Sequence, residues 1–470
     1  MMRPPSFGEC IAALAGATTT RRSSCVHGVR SGDGPRGSMC AAVSTAVAAS
    51  GGEAAYQLLL CAARSLRDLR GALPHGRARR RPHAAHAPGG PVGPNGPHAP
   101  NHGPNGAPLR VFYGVQGTGN GHITRARCIA TKLREAGADV TWMFSGRPRD
   151  DFFDMEVFGD FQWRAGLTLQ TRKGELDYGL TIYTVVCHQW SRFVRDVMSL
   201  DLSGYDRVVT DFEPVTAWAA LLQGVPIVGI GHQYAFGRQF DVPTAGADAL
   251  GTLCLQYFAP VTVGLGVHWH HFDGAILPPI IDVGRPEVAT RPTKIVVYLP
   301  FEELDDVLRL LAPFASHTFH VYNPGGPVDA DVDEACAAHI RVKGLSRGGF
   351  QADFADCGGV ICNAGFELPS EALHYGKKLL VKPLHRQMEQ LSNALALKEL
   401  GIGDVMHDLD AAIVATWLAA DPVRRVRYPD VAGAVARWIL RGDLTVDPSW
   451  VDSVWRRTAV GESGGEAASP

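Results

Sequence analysis

The sequence predicts an α/β protein with two doubly wound parallel sheets, preceded by an extension that does not fold. Short apolar runs that predict buried strands alternate with segments of helical period from residue 109 to about residue 408. A proline-rich connector at 277–292 divides this alternation into two blocks. Because parallel strands joined by helices follow right-handed crossovers, each block predicts its own doubly wound sheet.

The domain boundaries follow from these changes in composition. We expect four parts, namely a disordered extension, a first domain, a second domain, and C-terminal helices with a tail, over residues 1–108, 109–288, 289–408 and 409–470. The C-terminal helices are expected to pack back across the first domain.

The distribution of charge limits the classes of partner. Of the 45 basic and 47 acidic residues, 12 arginines and four acids precede Pro108, which leaves 33 basic and 43 acidic residues for the rest. This acidic body argues against nucleic acid as the main partner. The ten cysteines contain no CxxC pair, so we expect reduced thiols and a cytoplasmic protein. No apolar run of spanning length is present, although peripheral association with a membrane surface stays open.

Low complexity characterises the first part of the chain. Between residues 82 and 108, 14 of 27 residues are Pro or Gly, a composition typical of a flexible linker. An arginine-rich, acid-poor start also fits an organellar transit peptide. A third account places the translation start near Leu109, leaving the upstream residues untranslated, and we favour this account slightly.

A glycine-rich loop follows the first predicted strand, residues 111–115. Its glycines at 117, 119 and 121 miss the G-x-G-x-x-G spacing, and the second strand, 140–144, does not end in an acid, so a nicotinamide cofactor is disfavoured. Glycines allow the backbone to approach a substrate closely. His122 ends the loop, and histidine is the side chain best suited to exchange a proton near neutral pH, so it is our candidate base, with a capping or packing histidine as the alternative.

Further side chains are predicted at the same edge of the first sheet. Asp211 ends a strand at 205–211, where it could orient His122, act as the base itself, or, like Glu213, merely cap the next helix. His232 and Gln233 follow the next strand, so they are expected in the same crevice, on the side that would bind an acceptor substrate.

Aromatic residues and histidines elsewhere in the first domain have two interpretations. Tyr178, Tyr183, His188 and Trp190 could line an acceptor pocket or pack in the core. His268 and His270 would share one face of a strand, but two such ligands without a nearby acid do not predict a metal site.

The second domain contains the most informative stretch, residues 360–394. A strand runs into Asn363-Ala-Gly365, a helix follows from Pro369 to Gly376, a strand occupies 378–382, and a second helix spans about 386–400. Two helix N-termini therefore converge on one crevice, which suits an anion.

Carboxylates line this predicted crevice. Glu371 could accept both hydroxyls of a ribose, and Glu389 with Gln390 could bind sugar hydroxyls, although first-turn acids also simply suit a helix dipole. Arg347, before an earlier helix, could contact a base or phosphates or remain a solvated loop residue.

The order small-Gly-aromatic, Glu, Gly, Pro, acidic-Gln and Asn-Ala in this stretch resembles the donor-site signature of GT-B glycosyltransferases. These include small-molecule glycosyltransferases, diacylglycerol galactosyltransferases and the N-acetylglucosaminyl transferase of peptidoglycan synthesis. The phrase GVQGTGNGHITRA is similar to a bacterial and archaeal branch of that superfamily.

The resemblance implies two Rossmann-like domains that face each other across a cleft and an inverting hexosyltransferase. It would use a nucleotide sugar, with a UDP-hexose or UDP-N-acetylhexosamine expected, a small-molecule or lipid hydroxyl acceptor, and no metal or other cofactor. His122, with Asp211, would be catalytic. The donor site would comprise Gly119, Asn120, Gly121, Arg347, Asn363, Gly365, Phe366, Glu371, Glu389 and Gln390. Because Asn363 replaces a histidine that many relatives have, the diphosphate would depend on backbone amides and helix dipoles.

Two other functions are compatible with the same fold. One is 2-epimerisation of UDP-N-acetylglucosamine, and the other is a nucleotide-sugar-binding accessory subunit without turnover. The presence of both the glycine-His loop and the donor signature in one chain argues against the accessory subunit. The acceptor and the oligomeric state are left open by the sequence.

Overall fold

A computed structural model describes residues 107–461, with gaps. The gaps are residues 169, 173–174, 177–179, 182–183, 238–239, 247–248, 327–336, 422–424 and 443. The predicted extension as far as residue 106, and the acceptor-pocket candidates Tyr178 and Tyr183, lie outside the described residues.

The first domain is built on a six-stranded parallel sheet. The strands of this domain, in chain order, are β1 Arg110–Gln116, β2 Asp139–Ser145, β3 Phe161–Trp163, β4 Thr171–Arg172, β5 Glu175–Leu176, β6 Arg207–Asp211, β7 Val228–Gly231 and β8 Val263–Gly266. Strands β4 and β5 form a separate antiparallel pair, and the other six form the parallel sheet. The sheet order is β3-β2-β1-β6-β7-β8. Its helices are α1 Asn120–Glu135, α2 Trp190–Ser199, α3 Pro214–Gln223 and α4 Ala249–Tyr257. Short helical turns occupy Arg149–Asp151, Glu156–Phe158, Val185–Gln189 and His232–Phe236.

Strand β1 shows why this sheet was predictable. Val111, Tyr113 and Val115 are buried in one apolar cluster, and Phe112 is buried in the cluster on the other face. Successive side chains of a strand point to opposite faces, so a strand covered by helices on both sides must be apolar throughout. The continuous apolar run therefore places β1 at the centre of the sheet.

The second domain repeats the same architecture. Its strands are β9 Arg291–Tyr298, β10 Thr318–Tyr322, β11 Ile340–Lys343, β12 Cys357–Asn363, β13 Lys378–Lys382 and β14 Asp404–Val405, and its helices are α5 Leu304–Leu311, α6 Arg347–Asp356, α7 Glu367–His374 and α8 Met388–Glu399. The sheet order is β11-β10-β9-β12-β13-β14, with parallel pairing throughout. The prediction of two doubly wound domains is confirmed. In each sheet the strand order reverses beside the first strand, which places a crevice at the carboxyl ends of the strands.

Helix α7 begins two residues earlier than its proline suggested. It starts at Glu367, so that Pro369 is the third helical residue rather than the first. Proline is tolerated there because the N–H groups of a first turn have no intrahelical partner. The earlier start brings Glu367 into the first turn, beside the cleft.

The C-terminal segment returns to the first domain. It contains α9 Ala411–Ala419, β15 Val426–Arg427, α10 Val431–Arg441, α11 Pro448–Trp455 and β16 Ala459–Val460. Helix α10 packs against α1, and Trp455 Nε1 donates to the carbonyl of Ile276 at 2.6 Å. Within the described part of the chain, no helix is long and apolar enough to cross a bilayer.

Candidate functional site

A cavity of about 1050 Å³ lies between the two domains. Its wall contains nearly all of the side chains that the sequence singled out, namely Gly119, Asn120, Gly121, His122, His232, Gln233, Arg347, Asn363, Gly365, Phe366, Glu371, Glu389 and Gln390. Asp211 lies behind this wall and is fully buried. The fold thus brings the predicted catalytic and donor residues to one cleft.

His122 and Asp211 form a hydrogen-bonded pair across the first sheet's edge. Helix α1 begins after Gly119, whose φ of 93° suits glycine, and carries His122 in its first turn. His122 Nδ1 lies 2.7 Å from Asp211 Oδ1. Nε2 of His122 has no hydrogen-bond partner among the described residues, and the side chain lines the cavity.

Arg125 fixes the charge of Asp211. Its Nε donates to Asp211 Oδ2 at 2.8 Å, and its Nη2 donates to Oδ1 at 2.5 Å. Burial alone would raise the pKa of Asp211, but Arg125 and His122 outweigh burial and lower that pKa below its ordinary value. Nδ1 of His122 also lies 3.1 Å from Arg125 Nη2, but the shorter contact is with Asp211. Because an ionised carboxylate can only accept, the hydrogen-bond network assigns the proton of a neutral imidazole to Nδ1 and the lone pair to Nε2.

Glu213, rather than Asp211, caps helix α3. Its carboxylate accepts from Val215 N at 2.9 Å and from Thr216 N at 2.6 Å. Phe212 lies between the two acids with a φ of 54°, in the left-handed region that non-glycine residues rarely adopt. Of the two roles that the sequence left open, Glu213 therefore has the capping role, and Asp211 has the role of binding His122.

Arg125 also binds Glu367, a residue that the sequence did not single out. Its Nη1 donates to Glu367 Oε1, so one guanidinium connects α1 of the first domain to α7 of the second. A Cβ on Gly121 would lie 3.0 Å from Glu367 Cγ, so a larger residue there would require the Glu367 side chain to shift. In the sequence, the spacing of three residues between His122 and Arg125 indicates that both lie on one face of α1. It does not indicate the contact with Glu367.

Glu367 is buried with an unusual charge balance. Its Oε2 has no hydrogen-bond partner within the described ranges. Burial raises its pKa to about 8, and although Arg125 opposes this shift, the nearby carboxylates of Asp211 and Glu371 add to it. Glu367 therefore holds a proton near neutral pH.

Asn363 presents an acceptor to the cavity. Its Nδ2 donates to the carbonyl of Lys382 at 3.1 Å, and its Oδ1 is buried without a partner among the described residues. This orientation follows from the hydrogen-bond network. In it, Asn363 offers no N–H to a diphosphate. The neighbouring Gly365 leaves open space, since an added Cβ would meet nothing within 4 Å.

Glu371 is held by an arginine from the interdomain connector. Arg285 Nη2 donates to Glu371 Oε1 at 2.9 Å, and Nη1 donates to Oε2 at 3.1 Å. Both side chains line the cavity. The predicted ribose carboxylate is thus already in a bidentate ion pair.

Glu389 and Gln390 have different environments although they are neighbours. Glu389 Oε2 accepts from Gln233 Nε2 of the first domain at 3.1 Å. Gln390 is buried, and its Oε1 accepts from the backbone N–H of Leu384 at 3.0 Å. Glu389 therefore remains a cleft carboxylate, whereas the carbonyl of Gln390 holds the start of α8 in place.

His232 joins the domains. Its ring lies parallel to that of Phe366 with centroids 4.0 Å apart. Nδ1 lies 3.0 Å from the carbonyl of Val267, and Nε2 lies 2.6 Å from Asn393 Oδ1 in the second domain. Burial lowers its pKa. Both ring nitrogens are engaged, so His232 has none free for an acceptor, unlike Gln233, whose Oε1 lacks a partner in the described part.

Two arginines face the cavity without a carboxylate. Arg127 of α1 donates to the carbonyls of Phe153 and Asp154. Arg347 begins α6, after the capping Ser346, and forms no ion pair with any described residue. Burial lowers the pKa of Arg127 to about 10, and the positive charge of Arg347 contributes to the shift. Two cations that repel each other across a cleft favour an anionic ligand between them.

The remaining candidates lie outside the cavity wall. Trp190 packs against the core beside α3, with its ring 5.8 Å from Phe193, and neither it nor His188 is among the residues that line the cavity. His268 Nδ1 accepts from Trp269 N at 2.8 Å, and burial lowers its pKa well below the ordinary value. The described residues contain no group of three or more His, Cys, Asp or Glu placed to hold a metal ion.

Two doubly wound domains that enclose a cleft with a His–Asp pair on one side and donor-type residues on the other define the GT-B class. The sequence profile described as Glycosyl transferase family 1 matches residues 109–254 and 264–422. The chain therefore belongs to glycosyl transferase family 1, and it is a glycosyltransferase.

Similar folds occur among solved glycosyltransferases, at low sequence identity. The spinosyn rhamnosyltransferase SpnG is 14% identical with a TM-score of 0.46, and the match covers 74% of this chain and 100% of that chain. The calicheamicin glycosyltransferase CalG4 is 18% identical with a TM-score of 0.45, covering 74% and 98%. MurG from Acinetobacter baumannii is 12% identical with a TM-score of 0.40, covering 74% and 100%. A comparison with curated protein sequences gave no match.

The proton on Glu367 predicts a specific pH dependence of stability. The folded state keeps this proton up to a pKa of about 8, whereas the ordinary value is 4.5. Between these values the folded state binds more protons than the unfolded state, so the free energy of unfolding falls as pH rises. Glu367→Gln is neutral at every pH and should gain on the order of 3 kcal/mol relative to the native protein between pH 5 and pH 9.

Urea unfolding followed by circular dichroism at pH 5, 7 and 9 measures this difference. Glu156→Gln is the matched control, because Glu156 is an exposed carboxylate in the same cavity wall. A stability difference between native protein and Glu367→Gln that stays constant over this range would contradict the assignment.

Proposed function

We propose that the protein transfers a hexose or N-acetylhexosamine from a nucleotide sugar, with a UDP-sugar as the expected donor, to a hydroxyl acceptor. The transfer proceeds with inversion and without a metal ion. The observation that carries this proposal is the position of His122, which lines the cleft while its Nδ1 lies 2.7 Å from the buried Asp211.

His122 acts as the general base in a single displacement. Its Nε2 takes the proton of the acceptor hydroxyl while that oxygen forms a bond to the anomeric carbon. The bond from this carbon to the diphosphate oxygen breaks, and its electron pair leaves with the nucleotide. Attack and departure on opposite faces of the sugar invert the anomeric centre.

Asp211 is a positioning residue for this base. It is fully buried and accepts three hydrogen bonds, from His122 and twice from Arg125, so it does not reach an acceptor. Its negative charge stabilises the imidazolium that forms during transfer. This arrangement favours His122 over Asp211 as the proton acceptor.

The leaving diphosphate is neutralised by arginines. Arg127 and Arg347 line the cavity without carboxylate partners among the described residues, and Arg347 opens a helix whose next two residues are glycines. Fixed cations and helix N–H groups can stabilise the charge that a divalent metal stabilises in other transferases. This supply of positive charge supports metal-independent transfer, and it supplements the amides of α7.

Polar groups from both domains suit the donor sugar. Glu389 and Gln233 meet at 3.1 Å across the cleft, and Gln233 Oε1 and Asn363 Oδ1 are acceptors without partners within the described ranges. These oxygens can accept hydrogen bonds from sugar hydroxyls. Because the set is completed only when the domains close, closure also excludes water that would hydrolyse the donor.

The acceptor side of the cavity is apolar. Phe212 and Phe258 stack with ring centroids 5.1 Å apart, and Leu255 lies in the same wall. An aromatic wall beside His122 suits an acceptor with an apolar body, which includes both hydrophobic small molecules and lipids.

Replacing the base should separate catalysis from binding. We expect His122→Ala to lower the transfer rate by about 10²–10⁴-fold, while the affinity for the nucleotide sugar changes less than about twofold because His122 is not a donor ligand. Rates and donor titrations measure both quantities. His407→Ala, an exposed histidine, is the control. Unchanged turnover in His122→Ala would remove this residue from the mechanism.

Replacing Arg127 or Arg347, which form no ion pair with a described residue, should weaken donor binding rather than catalysis. Arg347→Ala and Arg127→Ala should each raise the donor KM about tenfold or more, since a hydrogen bond to a charged group contributes about 1.5–3 kcal/mol. The exposed Arg341 on β11 provides the control variant Arg341→Ala. Native KM values in both cleft variants would exclude a phosphate between these arginines.

A donor panel tests the proposed function as a whole. Thermal-shift measurements with UDP-, TDP- and GDP-sugars should show stabilisation by UDP-sugars above the others. Mass spectrometry of products formed with a lipid extract and a small-molecule library should then show addition of one sugar residue, at the same rate with and without EDTA. Interconversion of the nucleotide sugar without an acceptor would instead indicate an epimerase, and loss of transfer in EDTA would contradict metal independence.

A further inference from the structure

Two acidic residues on α7 bind arginines that come from outside the second sheet and its helices. Glu367 and Glu371 are one helical turn apart and therefore face the same side. Arg125 of α1 binds the first, and Arg285 of the interdomain connector binds the second. The pairing of Glu371 is notable because this carboxylate is the one that the proposed function assigns to the ribose of the donor.

The orientation of Arg285 is fixed by its own neighbours. Its backbone N–H donates to Tyr375 Oη at 3.3 Å, and Tyr375 Oη donates to the carbonyl of Asp282 at 2.7 Å. Its Nε donates to Asp282 Oδ2 at 3.3 Å. Hydrogen bonds from both the backbone and the side chain therefore hold Arg285 in place, on the segment that joins the two domains.

The ion pair with Arg285 leaves half of the acceptor sites on the Glu371 carboxylate without a partner among the described residues. A carboxylate has about four lone-pair sites, two on each oxygen, and the bidentate guanidinium occupies one on each oxygen. One acceptor site on each oxygen remains, and the side chain lines the cavity. Two adjacent acceptors held in a fixed plane match a pair of vicinal hydroxyls, such as the 2′ and 3′ hydroxyls of a ribose.

We propose that Arg285 is a donor-positioning residue that holds the Glu371 carboxylate in the plane required to accept both ribose hydroxyls. This inference rests on the proposed nucleotide-sugar donor. It adds that recognition of the ribose depends on the connector as well as on the donor helix. Because Arg285 lies between the domains, donor binding at Glu371 is also coupled to the position of the connector.

The geometry makes lysine a poor substitute for Arg285. Lysine supplies the positive charge, but as a point charge it cannot hold both carboxylate oxygens in one plane. Arg285→Lys thus separates the charge from the orientation. Arg285→Ala removes both.

Calorimetric titration with UDP and with 2′-deoxy-UDP tests the proposal on the full-length protein. The native protein should prefer UDP by about tenfold, the size expected for one hydroxyl bound to a charged group. In Arg285→Ala, UDP affinity should fall about tenfold and the preference should shrink to about twofold. Arg285→Lys should regain part of the affinity but not the preference. Turnover at saturating donor should change less than about threefold, because the residue does not touch the reacting atoms.

Arg425→Ala is the matched control for loosened packing. Arg425 Nη2 binds Glu287 of the same connector at 2.8 Å, and Arg425 Nε donates at 2.7 Å to the carbonyl of His374, at the end of α7, without contacting Glu371. This variant should retain the native preference. If Arg285→Ala is not folded by its melting curve, Arg285→Gln, which can still donate to one oxygen, takes its place.

The outcomes separate this inference from the function on which it rests. A native protein that binds UDP and discriminates against 2′-deoxy-UDP, with the same preference in Arg285→Ala, would overturn the role of Arg285 alone. Full recovery of the preference in Arg285→Lys would show that charge suffices and would overturn the role in orientation. A native protein that binds no UDP would contradict the proposed donor, and the role of Arg285 would be lost with it.

Discussion

The buried guanidinium of Arg125 is the interaction on which the rest of the site depends. A cation removed from water is very unfavourable unless an opposite charge and hydrogen-bond acceptors surround it. One of its partners, Asp211, ends a strand of the first sheet, and the other, Glu367, begins a helix on the second. Arg125 is fully paired only when the two domains meet. The contacts that orient His122 through Asp211 lie within the first domain, and the contact with Glu367 links the same guanidinium to the second domain.

Helix α7 transmits this link to the donor side. Its first-turn Glu367 contacts α1, Glu371 one turn later contacts the connector, and the ring of Phe366 just before it stacks on His232. A single short helix thus touches the base-bearing helix, the connector and the wall of the first domain. Any ligand that shifts α7 changes all of these contacts together, because a packed interior transmits displacement rather than absorbing it.

The sheets were predictable because a parallel strand covered on both faces must be apolar, as β1 and β12 are. The cleft was also predictable, since parallel strands deliver the residues that follow them, such as His232 and Asn363, to one edge. The ends of helices were less certain. A proline marks a first turn without specifying which position it occupies, and α7 accordingly began two residues before the expected start.

Side-chain partners across the cleft could not be derived from the sequence. Arg125, Arg127, Arg285 and Glu367 are separated from their partners by long stretches of chain, and a charged residue in a helix or connector most often faces solvent. The contact of Gln390 is local but was equally hard to predict. Its side-chain carbonyl accepts from the backbone N–H of Leu384, and the turn before α8 determines this contact. Composition and spacing identify which residues reach the cleft, but not which of them bind one another.

The return of the C-terminal helices to the first domain has a mechanical consequence. The chain passes between the domains twice, once through the connector and once between α9 and α10, and the ion pair between Glu287 and Arg425 at 2.8 Å joins the two passages. Two covalent crossings at one seam leave rotation about that seam as the easiest relative motion of the domains. Such a rotation would change the width of the cleft least beside Glu287 and most at the opposite rim.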